Sequence, residues 1–225
     1  MPRPPFVSAV IAAAGKSRRF GEDKLLAPLG GVSVLARTLS AFQSSPHINE
    51  IILVCSEGRE DEFIALGAVS GITKLTRVVA GGYTRTDSVK NGVFAASKKA
   101  GLIAVHDGAR PLVAERVISA AVEKARRYHA AVPAVKVKAT IKRVAHGYVD
   151  ETLDREELYE AQTPQVFEAN LLKAALTAGG SGTDEASLVE KIGATVHISE
   201  GSYRNIKITT RDDLLAAEAF LGADE

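Results

Sequence analysis

The stretch "VIAAAGKSRRFGEDK", residues 10–24, decides how this chain is built. Its apolar start belongs to a nearly continuous run, "FVSAVIAAA" (6–14). Such a run, bounded by a glycine and charges, reads as a strand buried on both faces, as in a parallel sheet. Small residues follow, then Gly15, then the basic cluster Lys16, Arg18 and Arg19, with Lys24 a few positions on. Gly15-Lys16-Ser17 looks like the end of a P-loop, G-x-x-x-x-G-K-[ST]. That pattern puts its first glycine at position 10, which is Val10. A P-loop wraps its N–H groups around a phosphate through backbone conformations that glycine adopts cheaply. The dinucleotide pattern G-x-G-x-x-G fails too, because the next glycine after Gly15 is Gly21. The segment is a cation-rich strand-end loop that matches neither standard phosphate loop.

Outward from this stretch, short apolar runs alternate with helical patterns. "VSVLARTLSAFQ" (32–43) spaces Val34, Leu35, Leu39 and Phe42 as one helix face. Buried strands are expected at 50–56, 76–82, 102–111 and 130–137, and helices near "EDEFIAL", at 86–100 and at 114–128. In the second of these helices Val89, Val93 and Phe94 share a face. This alternation argues for a mostly parallel sheet covered by helices on both faces. The pattern breaks at 138–167, where Ile141, Val144, Tyr148 and Val149 alternate around His146-Gly147. The segment reads as a polar β-hairpin too poor in apolar residues for its own core, so it must lie on the main domain or on a second subunit. Helices at 168–178 and 183–192, strands at "TVHISEG" and "NIKIT", and a final helix from Asp212 complete the expectation. The reading is an α/β, Rossmann-like three-layer sandwich: one domain over 1–225, with a protruding β-arm at about 138–160.

Composition narrows the function classes. The chain has 225 residues, 46% of them hydrophobic, and a formal net charge of +1. A sizeable core is available, whereas a general nucleic-acid binder would be more basic. No apolar run is long enough to span a membrane, and "MPRPPF" lacks the apolar region of a signal peptide. The single cysteine, Cys55, sits inside the apolar run "IILVC" and reads as a small buried hydrophobe. No internal disulfide is available, which fits a reducing, cytoplasmic setting.

In open parallel sheets, ligands sit beyond the carboxyl ends of the strands. Three strand ends here are chemically loaded. The first offers Ala12, Ala13, Ala14 and Gly15, small enough for a nucleobase or phosphate to reach the backbone, and then cations suited to a polyphosphate. The second, "GGYTRTDS" (81–88), offers Gly81 and Gly82 for close approach and Ser88 in the first turn of a helix. The third, "HDGARP" (106–111), sets Asp107 before Gly108 and Arg110, as a Mg²⁺ ligand beside a phosphate clamp would stand. Each has a plain alternative: a solvated loop, an ordinary strand-to-helix turn, a structural aspartate. The five histidines have no metal-site spacing, and His106 reads as a packing or hydrogen-bonding residue. "SGTDEAS" (181–187) looks like a helix start capped by Ser181 or Thr183.

Taken together and in this order, "AAAGKSRRFGEDK", "GGYTRTDSV", "HDGARP", "ATIKRV", "AQTPQVF", "TDEASLVE" and "NIKIT" resemble the nucleotidyltransferases that charge polyol phosphates. Within them the chain is most similar to the 2-C-methyl-D-erythritol 4-phosphate cytidylyltransferases of the non-mevalonate isoprenoid pathway. The resemblance implies CTP and a polyol phosphate as substrates, with Mg²⁺ as cofactor. It implies Arg19, Lys24, Asp107 and Lys207 as catalytic residues, with Asp107 on the metal. Ala12, Ala13, Ala14, Gly15, Gly82, Ser88 and Gly108 would bind the nucleotide. Arg110, Thr140, Arg155 and Thr163 would surround the polyol phosphate. It also implies a homodimer whose arms cross over. The chain departs from the usual family pattern at Ser17, Phe20, Asp23, Leu25 and Tyr83. Three other readings stay open on the residues: a ribitol-5-phosphate cytidylyltransferase, a P-loop NTPase, and a non-catalytic nucleotide-binding module.

Overall fold

The computed structural model describes residues 4–15, 20–21, 23–180 and 182–223. The strands in chain order are β1 (Phe6–Ala12), β2 (Pro28–Leu29), β3 (Val32–Ser33), β4 (Glu50–Cys55), β5 (Leu75–Ala80), β6 (Ala100–Asp107), β7 (Ala130–Lys136), β8 (Lys142–Ala145), β9 (Tyr148–Thr152), β10 (Tyr159–Ala161), β11 (Gln165–Glu168) and β12 (His197–Glu200). The α-helices are α1 (Val34–Ser44), α2 (Glu60–Val69), α3 (Arg85–Ala95), α4 (Glu115–Tyr128), α5 (Ala169–Ala178), α6 (Glu185–Lys191) and α7 (Arg211–Gly222).

The main sheet follows the pairing path β10–β7–β11–β6–β1–β4–β5, with β12 added on β7. β1 lies parallel to β4 on one side and to β6 on the other, and β4 lies parallel to β5. The chain therefore walks outward from β1 through β4 to β5, then crosses back to place β6 on the far side of β1. This reversal of strand order is a topological switch point, and it opens a crevice at the carboxyl ends of β1 and β6. β11 runs antiparallel between β6 and β7. Ala134 pairs with both Ala161 and Glu200, so β10 and β12 flank opposite sides of β7.

Side chains alternate across the pleat, and β1 shows the result. Val7, Ala9 and Ile11 join Leu35, Leu39, Phe42, Phe63 and Val117 in one buried cluster. Val10 joins Val89, Val93, Leu172 and Val189 in another, on the opposite face. Helices α1, α2 and α4 thus cover one face, and α3, α5 and α6 the other: the three-layer α/β architecture the sequence implies. A satellite cluster of Phe20, Ala27, Leu29, Val34, Ile208 and Ala217 ties the β2–β3 turn and α7 to the end of the sheet that carries the crevice. Among the described residues, no helix is long and apolar enough to cross a membrane.

Several expectations need correction. The helix expected over 86–100 stops at Ala95, and Ala100 already begins β6. Phe94 points outward and is exposed, because the turn of α3 that carries it faces solvent while Val89 and Val93 face the sheet. "NIKIT" adds no strand. It is extended chain anchored where Ile208 N–H donates to the Ala109 carbonyl at 2.8 Å. α6 is capped by the side chain of Asp184, which accepts from Ser187 N–H, and not by Thr183; Ser181 lies outside the described residues. The hairpin is confined to β8 and β9 around His146 and Gly147, both at positive φ as a tight hairpin turn requires. The second half of 138–167 returns to the main sheet as β10 and β11, drawn in by Val166 and Phe167, both fully buried.

Candidate active site

The crevice is a cleft of ≈ 540 Å³ walled by Ala12–Gly15, Lys24, Leu25, Gly82–Arg85, Ser88, Asp107, Ala109, Lys207 and Thr209. All three chemically loaded strand ends therefore meet in one place, joined by the loop after β12.

The first wall is held by backbone. Ala13 N–H donates to the Val54 carbonyl at 2.7 Å, and Gly108 N–H to the Ala12 carbonyl at 2.9 Å. A Cβ on Gly108 would stand 3.2 Å from the Ala12 oxygen and from Leu35 Cδ1. Gly108 does not line the cleft; it lets the β6 loop lie against β1. Lys16, Ser17, Arg18, Arg19 and Glu22 are outside the described residues, and the Arg19 assignment falls there. Past them the chain is pinned by Asp23, whose carboxylate accepts from Leu25 N–H and binds Arg59 at the start of α2. This gives the departure at Asp23 a physical role: it fixes the turn that presents Lys24. Lys24 Nζ donates to the Ile208 carbonyl at 2.8 Å, beside Lys207.

The second wall is the start of α3. Thr84 and Asp87 form a reciprocal capping box. Ser88 Oγ accepts from Gly82 N–H at 3.0 Å and donates to the Thr84 carbonyl at 2.9 Å. Cβ atoms on Gly81 and Gly82 would stand 2.6 Å from Ala14 Cβ and 2.4 Å from Asp87 Cβ. The two glycines are thus required by the packing of the loop itself, whatever the ligand. Tyr83 is fully exposed at the rim.

The third wall carries the charge. Asp107 ends β6, with its side chain 10% exposed. Lys207 Nζ lies 2.9 Å from Oδ2, Arg110 Nε 3.4 Å from Oδ2, and Arg85 Nη2 3.6 Å from Oδ1. Burial alone would raise its pKa, but these three cations outweigh burial and hold the carboxyl well below the usual range. Arg110 turns away from the cleft surface, giving Nη1 to the Asn205 carbonyl at 2.6 Å. Thr163 is also buried off the cleft. Its Oγ1 accepts from Asp107 N–H at 3.2 Å and lies 2.9 Å from His106 Nδ1. The Arg110 carbonyl, 3.2 Å from Nε2, can only accept, so the His106 proton sits on Nε2 and the Thr163 hydroxyl donates to Nδ1. Burial lowers the His106 pKa to about 4, so the ring is neutral. The sequence reading of His106 as a hydrogen-bonding core residue matches this arrangement: it closes the "HDGARP" loop from inside.

Two functional residues escaped the sequence reading. Arg85 lines the cleft, and its fork is held by the fully buried Glu185 at 2.6 and 3.0 Å. "TDEAS" reads locally as helix-start chemistry, and that conceals a charge partner 100 residues away from Arg85. Thr140 and Arg155 are exposed on the arm, Arg155 Nη1 donating to the Lys138 carbonyl at 3.1 Å, and neither lines this cleft. Among the described residues no group of three or more His, Cys, Asp or Glu side chains is placed to hold a metal.

The family model for 2-C-methyl-D-erythritol 4-phosphate cytidylyltransferase (IspD) matches residues 7–223. The chain belongs to this family. The protein of that name from Halalkalibacterium halodurans is 44% identical over 224 residues, covering 97% of this chain and 98% of the relative. Its counterpart from Dehalococcoides mccartyi is 46% identical over 218 residues, covering 96% of each. The crystal structure of 4-diphosphocytidyl-2C-methyl-D-erythritol synthase from Anaerococcus prevotii superposes with a TM-score of 0.86 at 32% identity, covering 98% of this chain and all of that one. The enzyme of this family from Thermus thermophilus gives 0.78 at 31% identity, covering 94% of this chain.

Proposed function

We infer that this member of the cytidylyltransferase family transfers CMP from CTP to 2-C-methyl-D-erythritol 4-phosphate, releasing pyrophosphate. The observation that carries this reading is the switch-point cleft, where Lys207 and Arg85 flank the ionised Asp107 and Lys24 lines the same cleft beside a wall of alanines and glycine.

The nucleophile is a phosphate oxygen of the acceptor, already ionised at neutral pH, so the chain needs no activated side chain. Two of the hydroxyls on the cleft wall fit that reading: Ser88 and Thr84 are committed to the loop and cap of α3. The work is positioning, together with stabilisation of the negative charge that grows on the α-phosphate oxygens during attack. Lys24 and Lys207, both on the cleft wall, are assigned to that charge, and the family pattern gives Arg19 the same role. Ala12–Gly15 and Gly82 leave room for the nucleotide against the backbone. Arg110 and Thr163 act from behind the wall: they hold Asp107 and its loop.

Mg²⁺ fits the residues present. Asp107 is ionised and, among the described residues, its Oδ1 has only the long Arg85 contact, and Mg²⁺ is commonly held by one or two carboxylates plus substrate phosphates. When bound, the metal supplies charge neutralisation across the triphosphate. The arm completes the reading. Val144, Tyr148 and Val149 are exposed on a hairpin that is marginal alone. A homodimer with crossed arms would bury them and bring Thr140 and Arg155 to the neighbour's cleft. The single buried Cys55, whose pKa burial raises to about 11, suits a reducing cytoplasm.

Pyrophosphate release across a matrix of nucleoside triphosphates and polyol phosphates tests the function. Release should require CTP together with methylerythritol phosphate. A preference for ribitol 5-phosphate, ATP hydrolysis without acceptor, or CTP binding without release would each point to one of the rival readings.

A further inference from the structure

We propose that Glu185 is a positioning residue: it holds the fork of Arg85 away from Asp107 and so keeps that carboxylate open for the reaction. This rests on the reading of Asp107 as the metal-associated carboxylate.

Arg85 sits between two acids. Its nitrogens bind Glu185 at 2.6 and 3.0 Å, whereas its nearest approach to Asp107 is 3.6 Å. Arginine pairs best with a carboxylate through two parallel N–H···O bonds; Glu185 takes the Nη1/Nη2 fork of Arg85, and that anchoring leaves Nη2 3.6 Å from Asp107, beyond hydrogen-bond reach. Without Glu185 the fork would fall to Asp107, which already binds Lys207 at 2.9 Å and Arg110 at 3.4 Å. All the lone pairs of Asp107 that face the cleft would then be occupied by cations.

Glu185 is built for this task. It is 1% exposed, at the start of α6, where Asp184 caps the helix and binds Gln165 Nε2 at 2.8 Å. Gln165 in turn accepts from Ala186 N–H at 3.0 Å, so the first turn of α6 is fixed to β11. Burial raises the pKa of Glu185, opposed by Arg85, and the contacts at 2.6 and 3.0 Å engage both carboxylate oxygens with the fork. A purely structural bridge at this depth would serve equally well between groups away from the cleft. Here the cation itself lines the cleft and lies within 4 Å of Asp107, which among the described residues is the one acid lining that cleft.

The test is Glu185→Gln, alone and combined with Arg85→Gln. A crystal structure of E185Q should show the Arg85 fork turned onto Asp107, with contacts of about 2.8 Å. The Mg²⁺ concentration for half-maximal rate should rise about 10-fold, the lower end of losses from removing an outer-shell partner. The double variant R85Q/E185Q should bring the Mg²⁺ requirement back towards that of the wild type, because the competing cation is gone. Direct Mn²⁺ titration of the CTP-bound protein should give the same order of affinities. An Arg85 that stays in place or turns to Asp184, or a double variant that needs at least as much metal as E185Q, would overturn the proposal. Should E185Q fail to fold, Glu185→Asp retains the charge with a shorter reach, and must shift the metal requirement in the same direction. A wild-type enzyme active without divalent metal would sink the metal reading instead, leaving the Arg85 geometry in the crystal to decide the positioning claim.

Discussion

Replacing Asp107 by Asn removes one negative charge from the centre of three cations, and the structure sets the size of the effect. Losing one partner of a buried ion pair costs about 3–5 kcal/mol, because the other charge is left uncompensated. The three cations are not equally stranded. Arg85 keeps Glu185, and Lys207, whose side chain is 40% exposed, can turn towards water. Arg110 is 13% exposed and would keep only the Asn205 carbonyl. The cost of D107N should therefore fall at the lower end, about 3 kcal/mol. For a chain of this size that corresponds to a Tm lowered by about 6–12 °C. The pH dependence has a definite sign. Asp107 has a folded pKa below its unfolded value of about 3.9. Its contribution is complete above the unfolded value and is lost as pH falls towards the folded one. Thermal unfolding followed by circular dichroism should show a constant gap between wild type and D107N from pH 7 to 5, narrowing below pH 4. Pyrophosphate, which supplies new negative charge, should stabilise D107N at least as much as wild type. A Tm within about 2 °C of wild type at pH 7, or a gap that widens in acid, would refute the charge-balance account.

Other consequences can be measured separately. Lys24→Ala should lower kcat by roughly 100-fold, the scale for one preorganised charge donor; a raised KM for CTP at unchanged kcat would make Lys24 a ground-state binder. Thr163→Val removes the acceptor of Asp107 N–H, and should cost about 1–3 kcal/mol in stability; nitrogen NMR of the same variant should report a changed His106 tautomer balance, and an unaltered imidazole spectrum would contradict the relay through its hydroxyl. Mixing inactive Arg155→Ala and Lys24→Ala chains should restore activity on subunit exchange if the arm serves the neighbour's cleft, and a fully active monomer would exclude that arrangement.

The sheet and its two helical layers were legible because the strands are continuous apolar runs and the helices carry apolar faces at helical spacing. Errors came where tertiary contacts overrule local pattern. "NIKIT" alternates like a strand but finds no neighbouring strand, and its Ile208 is buried in a satellite cluster instead. Segment 159–167 reads as part of the hairpin because its polar residues conceal Val166 and Phe167, which the sheet interior claims. In the site, Asp107, Lys24 and Lys207 were marked by strand-end position and family pattern, and the structure brings these three to one cleft. Arg85 and Glu185 were missed because their meaning lies in a contact across 100 residues. Neighbouring protein atoms already require the lack of a side chain at Gly81, Gly82 and Gly108, so the glycines alone do not mark a ligand contact.

The central claim is direct transfer: the acceptor's phosphate attacks the α-phosphate of CTP in this cleft, with no cytidylyl group held on a side chain. Exchange of radiolabelled pyrophosphate into CTP measures this most directly. Direct transfer predicts no exchange with CTP, Mg²⁺ and enzyme alone, and rapid exchange once the cytidylylated polyol product is present to run the reaction backwards. Exchange without any polyol would contradict it, because pyrophosphate could then leave only to a nucleophile on the protein.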